Sequence, residues 1–506
     1  MEKKIFLIND IKKIINNLKR KGKKIILCHG VFDLLHIGHI KHFAQAKNWG
    51  DVLIVSITSN EFVNKGPNRP AFQDQHRLEA VAALNVVDYV VLSQNPTATK
   101  VITELKPDIY CKGQEYENEK NDISGEIKNE INAVRKVKGK IVYTSGVTFS
   151  SSSLINKISQ NHSLQQKSSL KKIKKKYLFS EIRNLIENFK KLKVLVIGET
   201  IIDQYVFCEA LGKSGKESVL VLKDVNTEQY LGGALAISRH LSQFCNKITL
   251  LSMLGEKKEF LKEIQQNLPK NIKFNYIIKK NSPTIVKKRY IDLVHKNKVL
   301  GVYKINDDIL TASAEKLFKS KLRKLLAAHD LVIVSDYGHG LISEKSSKII
   351  CAKSKYLALN AQINAANVGL HSMRKYKNMD CVIINDREIQ HELRIKGDIK
   401  FLMKKLSQDQ KIKNLIVTRG INGSVFYEKK KNEFILSDAF AKSPVDKIGA
   451  GDAMLSLIAL CLKSNLSNEL ALLIGSLAAA SSAETMGNKE TTDKVKILKG
   501  LEHILK

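Results

Sequence analysis

The sequence predicts an α/β protein of two units in series, and three observations carry that expectation. Strand-like and helix-like segments alternate from Lys24 onward, the pattern of a parallel sheet wound with helices. A polar, Ser/Gln/Lys-rich stretch, "SQNHSLQQKSSLKKIKKK", then interrupts the alternation and reads as a linker without apolar periodicity. The alternation resumes at "KVLVIGETIIDQYVF" and runs to the end of the chain. With 506 residues, the chain is too long for one ordinary domain. The expected organisation is a domain over 1–158, a linker over 159–176 and a second domain over 177–506.

In order along the first unit, "MEKKIFLINDIKKIINNLKRKGKK" is a charged amphipathic helix pattern without the apolar stretch of a signal peptide. "KIILC" reads as a strand and the segment after Ile37 as a helix. "DVLIVSI" is a strand, "DQHRLEAVAAL" a helix and "VDYVVL" a strand. A helix near Thr97–Leu105, the strand "DIYCK", a helix near Glu126–Val137 and the strand "KIVYT" follow, and a helix opening in "SSSSLINKI" closes the unit. This makes a doubly wound parallel sheet of about five strands, whose ligands sit beyond the carboxyl ends of the strands. In the second unit, "LALLIGSLAAASSA" from Leu470 is too short to span a bilayer and fits a buried helix.

Composition excludes some classes of function. The formal net charge is +34, but the basic residues are spread along the whole chain and aromatics are only 6%. No stretch interleaves Arg with aromatics as a single-strand-binding face would, so nucleic acid is not the expected partner. The seven cysteines (28, 111, 208, 245, 351, 381 and 461) contain no C-x-x-C pair. Their spacing indicates neither a zinc site nor a disulfide framework, and a reducing cytoplasm is the expected location.

The most informative stretch of the first unit is "CHGVFDLLHIGH". A strand ends at Cys28 and a helix begins near Ile37, so the turn lies at the carboxyl edge of the sheet. Gly30 permits close backbone approach to a ligand. His36 and His39 flank a helix start, where free N–H groups and the helix dipole favour phosphate. Two imidazoles there can stabilise charge building on a leaving pyrophosphate. The bland reading is two unrelated histidines at a helix end, and the full G-x-F-D-x-x-H-x-G-H pattern after a strand weighs against it.

This segment resembles the cytidylyltransferase-like superfamily. With "NKGPNRPAFQDQHRLEAVAALNVVDYVV" and "LKPDIYCKGQEY", residues 1–158 look like the adenylyltransferase half of the bifunctional heptose-phosphate kinase/adenylyltransferases. The resemblance implies catalytic roles for His36, His39 and Lys112. It places Gly30, Phe32, Asp33, Gly38, Lys65, Arg69 and Arg77 around the nucleotide. It also implies that Ser151, Ser152 and Ser153 bind phosphate or ribose. Residue 29 is His where the adenylyltransferases usually carry Asn, which leaves ATP and CTP both open. The H-I-G-H spelling also occurs in aminoacyl-tRNA synthetases, but no K-M-S-K-S-like loop follows within this unit.

In the second unit "SPVDKIGAGDAMLSLIAL" presents Gly449, Ala450 and Gly451 as a bare loop opening a helix. Successive N–H groups there form an anion nest, and Asp452 stands where it can accept a proton from a hydroxyl beside it. Together with "GETIIDQY", "YLGGALAISRHL", "SDYGHG", "INDREI" and "VTRGINGS", the segment resembles the ribokinase-like sugar kinases over about 192–490. The resemblance implies a ribokinase-like α/β domain with a small β lid, of which "KESVLVLKDV" is part. It implies Asp203, Gly232 and Gly233 at the sugar, Lys287 and Arg289 at a substrate phosphate, and Asn385 and Glu388 organising Mg²⁺ indirectly. It also implies Thr418, Arg419, Gly420, Gly423, Gly449, Ala450 and Gly451 around ATP, with Asp452 as general base. "GKSGKES" has the wrong spacing for a Walker loop. Ala236 replaces the usual Asn, Ile448 the usual Thr, and "LNAQINAANVG" the expected D-P-K.

These resemblances imply a bifunctional enzyme of sugar activation, acting on small-molecule sugar phosphates and nucleoside triphosphates with Mg²⁺, without membrane insertion and compatible with a homodimer. It would phosphorylate a sugar or sugar phosphate of the heptose 7-phosphate type and transfer a nucleotide to the sugar 1-phosphate. The order of the two domains is reversed relative to the bifunctional heptose enzymes. The alternatives are a cytidylyltransferase for a glycerol-type or other polyol phosphate and a non-catalytic, sugar-binding kinase-like half.

Overall fold

The computed structural model describes residues 4–63, 70–118, 122, 124–145, 163–363, 367–441 and 444–505. The chain divides into two compact units: Met1–Asn161 with Val495–Lys506, and His162–Lys494.

The first unit is built on a six-stranded parallel sheet of β1 (Ile5–Phe6), β2 (Ile25–Gly30), β3 (Val52–Thr58), β4 (Tyr89–Ser93), β5 (Ile109–Gly113) and β6 (Lys140–Thr144), in the order β1-β4-β3-β2-β5-β6. The five strands expected from the sequence are present, and β1 adds an edge too short for any periodicity to reveal. Strands β2, β3 and β5 are near-continuous apolar runs because both faces are covered. One face packs Phe43, Leu78 and Val81, and the other Ile11, Ile15, Val101 and Val134. The chain turns from β2 toward β3 on one side and reaches β5 on the other. The switch point therefore lies at the carboxyl ends of β2 and β5, where such sheets hold their ligands.

The second unit contains a nine-stranded sheet of β7 (Lys193–Gly198), β10 (Lys247–Gly255), β11 (Ile272–Lys279), β14 (Leu331–Asp336), β15 (Leu357–Ala361), β16 (Cys381–Asn385), β17 (Asn414–Thr418), β18 (Ser424–Glu428) and β19 (Glu433–Ser437). Its order is β11-β10-β7-β14-β15-β16-β17-β18-β19, parallel except for the last two strands. A separate four-stranded sheet, ordered β13-β12-β8-β9, comprises β8 (Thr200–Lys213), β9 (Leu220–Gly233), β12 (Ile285–Asp292) and β13 (Lys298–Lys304). It is the expected lid, and "KESVLVLKDV" runs into β9.

Two boundaries differ from expectation. The predicted linker forms the helix Leu164–Lys176, capped by the Ser163 hydroxyl, which accepts the Gln166 N–H at 3.1 Å. Leu170 and Ile173 are buried in the second unit, and the Asp438 carboxylate accepts the Ser163 N–H and O–H at 2.8 and 2.7 Å. Two apolar residues three positions apart, Leu170 and Ile173, sufficed to dock a segment otherwise made mostly of Lys, Gln and Ser. At the other end, the helix Lys494–Leu505 groups with the first unit, and it buries Ile497, Leu498, Leu501 and Ile504. The kinase-like unit therefore stops at Lys494 rather than at the end of the chain. Among the described residues no helix is long and apolar enough to cross a membrane.

Candidate active sites

In the first unit the helix Ile37–Lys47 starts directly above the end of β2. His36 is its N-cap, and its Nδ1 accepts the Gly38 N–H at 3.0 Å. The His36 and His39 rings stack, with centroids 3.9 Å apart. The Phe32 ring meets His39 edge-on at 5.3 Å and Phe43 at 4.9 Å. Phe32 holds a left-handed backbone (φ +47°), and a Cβ on Gly30 would stand 3.0 Å from its ring. Gly30 thus makes room for Phe32, and Phe32 backs His39; the close approach expected for a ligand is made here by the protein's own ring.

Two residues expected at the nucleotide, Asp33 and Arg77, also anchor the local backbone. The Asp33 carboxylate, 4% exposed, accepts the N–H groups of Ala71 and Phe72 at 2.9 and 3.0 Å. Arg77 is 1% exposed and every one of its five N–H donors is engaged. They reach the carbonyls of Phe72, Val31 and Thr58 and the side chains of Asn60 and Asp74, at 2.6–3.0 Å. No donor of Arg77 remains for a phosphate. Lys65, Arg69, Ser151, Ser152 and Ser153 lie outside the described residues.

Lys112, at the end of β5, brings a cationic charge to this site. Its ammonium lies 2.9 Å from Glu130 Oε2 and 4.5 Å from the centroid of the Tyr116 ring. The Tyr110 hydroxyl donates to the same Glu130 oxygen at 3.0 Å. Burial works against the ammonium, but Glu130 and Tyr116 outweigh it, and Lys112 titrates above its ordinary value. Burial and then Lys112 hold the neighbouring imidazoles neutral: His29 falls to about 3 and His42 to about 4. His29 lies between the hydroxyls of Ser56 and Thr58, at 3.1 and 3.3 Å. Glu130 was not legible as part of the site, because it reaches Lys112 from a helix far along the chain.

The second unit encloses one continuous cavity of about 490 Å³. Its floor is the start of the helix Ala450–Lys463. Gly449 takes φ +88°, and a Cβ there would meet Asn488 Oδ1 at 2.2 Å. Helix starts leave backbone N–H groups without intrahelical partners, and Gly449, Ala450 and Gly451 all line the cavity. Asp452 follows, and the Tyr337 hydroxyl donates to its carboxylate at 3.2 and 3.3 Å. Burial raises Asp452 to about 7, Tyr337 opposing and Asp203 reinforcing that rise.

At the acceptor end of the cavity, Asp203 pairs with Arg289 at 2.5 Å. Lys287 stands opposite Asp203 in register, its ammonium 5.3 Å from the centroid of the Tyr337 ring. Burial pulls Lys287 below its ordinary value, although Asp203 opposes this. A Cβ on Gly232 would fall 2.1 Å from Asp203 Oδ2, so its bareness is what lets Asp203 turn inward. Gly233 (φ +58°) lines the wall. Ala236 is buried inside its helix. The amide at this end comes instead from Asn488, whose Nδ2 lies 3.4 Å from Asp203 Oδ2. At the opposite end, Thr418, Gly420 and Gly423 line the cavity. Arg419 is not a lining residue; its N–H donates to the Gly423 carbonyl at 2.8 Å.

Asn385 and Glu388 both line the cavity and form the capping box of the helix Asp386–Leu393. The Glu388 carboxylate accepts the Asn385 N–H at 2.7 Å, and the Asn385 side chain accepts the Glu388 N–H at 2.9 Å. Burial raises Glu388 to about 7, the backbone N–H groups opposing. A carboxylate and an amide oxygen are hard donors that suit Mg²⁺, and their commitment to the cap fits contact through the waters that Mg²⁺ retains. The altered segment near 360 supplies Asn360 and Gln362 to the wall.

Two further features lie outside the sequence expectations. Glu199, fully buried, accepts the N–H groups of Tyr337 and His339 and so fixes the turn that carries Tyr337. Asp446 gathers Lys298 from β13, the Tyr205 hydroxyl from β8, and the N–H groups of Ile448 and Gly487, at 2.5–3.2 Å. It ties the lid to the loop entering the anion nest.

Comparison with known proteins agrees with this geometry. Residues 27–158 match the cytidylyltransferase-like family, and residues 191–494 match the pfkB family carbohydrate kinases. The bifunctional protein HldE of Sulfurimonas denitrificans is 41% identical over 133 residues, 26% of this chain and 28% of the relative. Its counterpart in Helicobacter pylori is 35% identical over 154 residues, 30% of this chain and 31% of the relative. These matches span less than a third of either relative's length. A phosphofructokinase-2 variant from Escherichia coli shares the fold, with a TM-score of 0.50 at 13% identity, over 60% of this chain and 97% of that one. The chain is an enzyme with a kinase domain and a nucleotidyltransferase-like domain. The kinase match covers more than half of it, and the chain belongs to the pfkB family of carbohydrate kinases.

Proposed function

We propose that the chain makes a nucleotide-activated sugar in two steps, one in each unit. The second unit phosphorylates a sugar phosphate of the heptose 7-phosphate class at its anomeric hydroxyl. The observation that carries this reading is the single cavity with an anion nest and Asp452 at its floor and Lys287 and Arg289 at its acceptor end. Two cations there suit a substrate that already bears a phosphate. Asp452 takes the hydroxyl proton, the freed oxygen attacks the γ-phosphorus of ATP, and the bond to ADP breaks. The N–H groups at Gly449–Gly451 take up charge on the transferring oxygens. Tyr337, donating to Asp452, holds the carboxylate in line. Mg²⁺, held through Asn385 and Glu388, would neutralise charge on the polyphosphate.

The first unit then transfers a nucleotide to the sugar 1-phosphate. An oxygen of that phosphate attacks the α-phosphorus of the triphosphate and pyrophosphate leaves, so no protein nucleophile is needed. His36, His39 and Lys112 stabilise the leaving charge, and Lys65, Arg69 and Ser151–Ser153 belong to the same proposed site. The nucleotide is adenylyl, the setting cytoplasmic, and a second copy of the chain completes a homodimer. Nucleic acid has no part in it.

Purified protein incubated with ATP, CTP and a set of heptose and hexose phosphates tests both steps by product mass spectrometry. An ADP-sugar from a heptose phosphate is expected. Product from CTP alone would replace the adenylyl assignment. His36→Ala should stop pyrophosphate release and leave sugar-dependent ADP formation intact; loss of both in a folded variant would refute two independent sites.

A further inference from the structure

Neither proposed reaction uses Cys28 or Cys111. Cys28 on β2 is the register partner of Cys111 on β5, and register partners on neighbouring strands present their side chains on the same face. Both are essentially fully buried. The helix Ile37–Lys47 packs on this face and brings His42 to them. One ligand atom from each of the three residues lies within 4.8 Å of the others. Among the described residues this is the one group of three His, Cys, Asp or Glu side chains close enough to share an ion.

We propose that Cys28, Cys111 and His42 form a binding site for a thiophilic divalent cation, Zn²⁺ above all, at the edge of the nucleotidyl-transfer site. Two thiolates and an imidazole suit that ion and disfavour Mg²⁺ or Ca²⁺. The donors sit on two central strands and a helix, so they are held in place before an ion arrives. His42 Nδ1 lies 2.9 Å from the Thr144 hydroxyl. With the proton on Nδ1 and donated to Thr144, Nε2 is left unprotonated and available as a ligand, the arrangement by which an outer partner fixes a ligating imidazole. Burial and the neighbouring Cys111 raise the Cys28 thiol, while Lys112 opposes them. Two thiolates cancel the ion's charge, and Lys112 is already balanced by Glu130.

The site has a consequence for the neighbouring chemistry. Cys111 immediately precedes Lys112, so an ion held by Cys111 fixes the end of β5 and with it the Lys112 ammonium. The binding claim stands without the proposed reactions; only this positioning effect rests on them.

The test uses the full chain, reduced, stripped with a chelator and titrated with Co²⁺ and then Zn²⁺. Expected are one equivalent bound and a sulfur-to-cobalt charge-transfer band. Cys28→Ser and Cys111→Val should each weaken binding about 100-fold, and Thr144→Val about 10-fold. Thermal melting of the metal-free variants establishes that they fold. No sulfur-to-cobalt band in the wild type, or a band that survives in the folded Cys28→Ser/Cys111→Val double variant, overturns the proposal. So does a Cys28–Cys111 disulfide formed in air by a protein that binds no metal when reduced, which would make the pair a redox element instead.

Discussion

In its proposed role as general base, Asp452 would couple chemistry to stability. Its carboxyl is raised to about 7 because it is buried, with Asp203 and Glu388 adding to the effect. A general base must be deprotonated to work, so sugar-dependent ATP consumption should fall as pH drops through about 7. Stability runs the other way. A folded-state value above the unfolded one means the native state holds a proton that the unfolded chain releases. The stabilisation from this group is present at low pH and is lost as pH rises through about 7. Asp452→Asn should therefore cut phosphoryl transfer about 10³-fold while raising the melting temperature at pH 8 in the absence of substrate. A variant that keeps wild-type turnover, or melts lower at pH 8, would remove Asp452 from this role.

Elements set which of these residues could be read in advance. The parallel strands and the helix starts were legible because apolar runs and Gly or His at a strand end have few alternatives. Arg77 was misplaced for a physical reason: a sequence shows a guanidinium but not the five acceptors already around it. The helix Asp74–Ala82 carries Arg77 into a position where it closes the ends of β2 and β3 and the turn at Phe72. Arg77→Met leaves those carbonyls and Asp74 unpaired and should cost about 3 kcal/mol or more, seen as earlier denaturant unfolding of the first unit. A variant of unchanged stability that binds triphosphate more weakly would restore Arg77 to the nucleotide. Lys112 was legible as a candidate, and the structure places it at the end of β5 beside Glu130. Its partner Glu130, the Cys28–Cys111–His42 group and the Asp446 hub were not, since each joins residues distant in sequence with no spacing rule between them.

For the whole molecule, the chain solves two problems with two separate cores. In the proposed reading, the kinase-like unit keeps a phosphate-handling end while its acceptor end carries different side chains. Asn488 stands at Asp203 where the helical position 236 offers only a methyl group, and Asn360 and Gln362 line the wall where charge was expected. The docked helix Leu164–Lys176 shows that the connection between units is itself mostly structure of the second unit. The division of labour predicts that a change confined to one unit's core is felt by that unit's reaction.

The helix Lys494–Leu505 gives the boundary a temporal meaning. A ribosome makes the first 161 residues long before the segment that groups with them, so the nucleotidyltransferase-like unit is completed only after the kinase unit has been made. The kinase unit lies between and can complete itself while the first still waits. Ending translation after Lys494 should then spare the proposed kinase reaction and damage the proposed nucleotidyl transfer. Pyrophosphate release would become heat-labile while sugar-dependent ADP formation persists. If the truncated protein lost only the kinase reaction, that last helix would belong to the kinase unit after all.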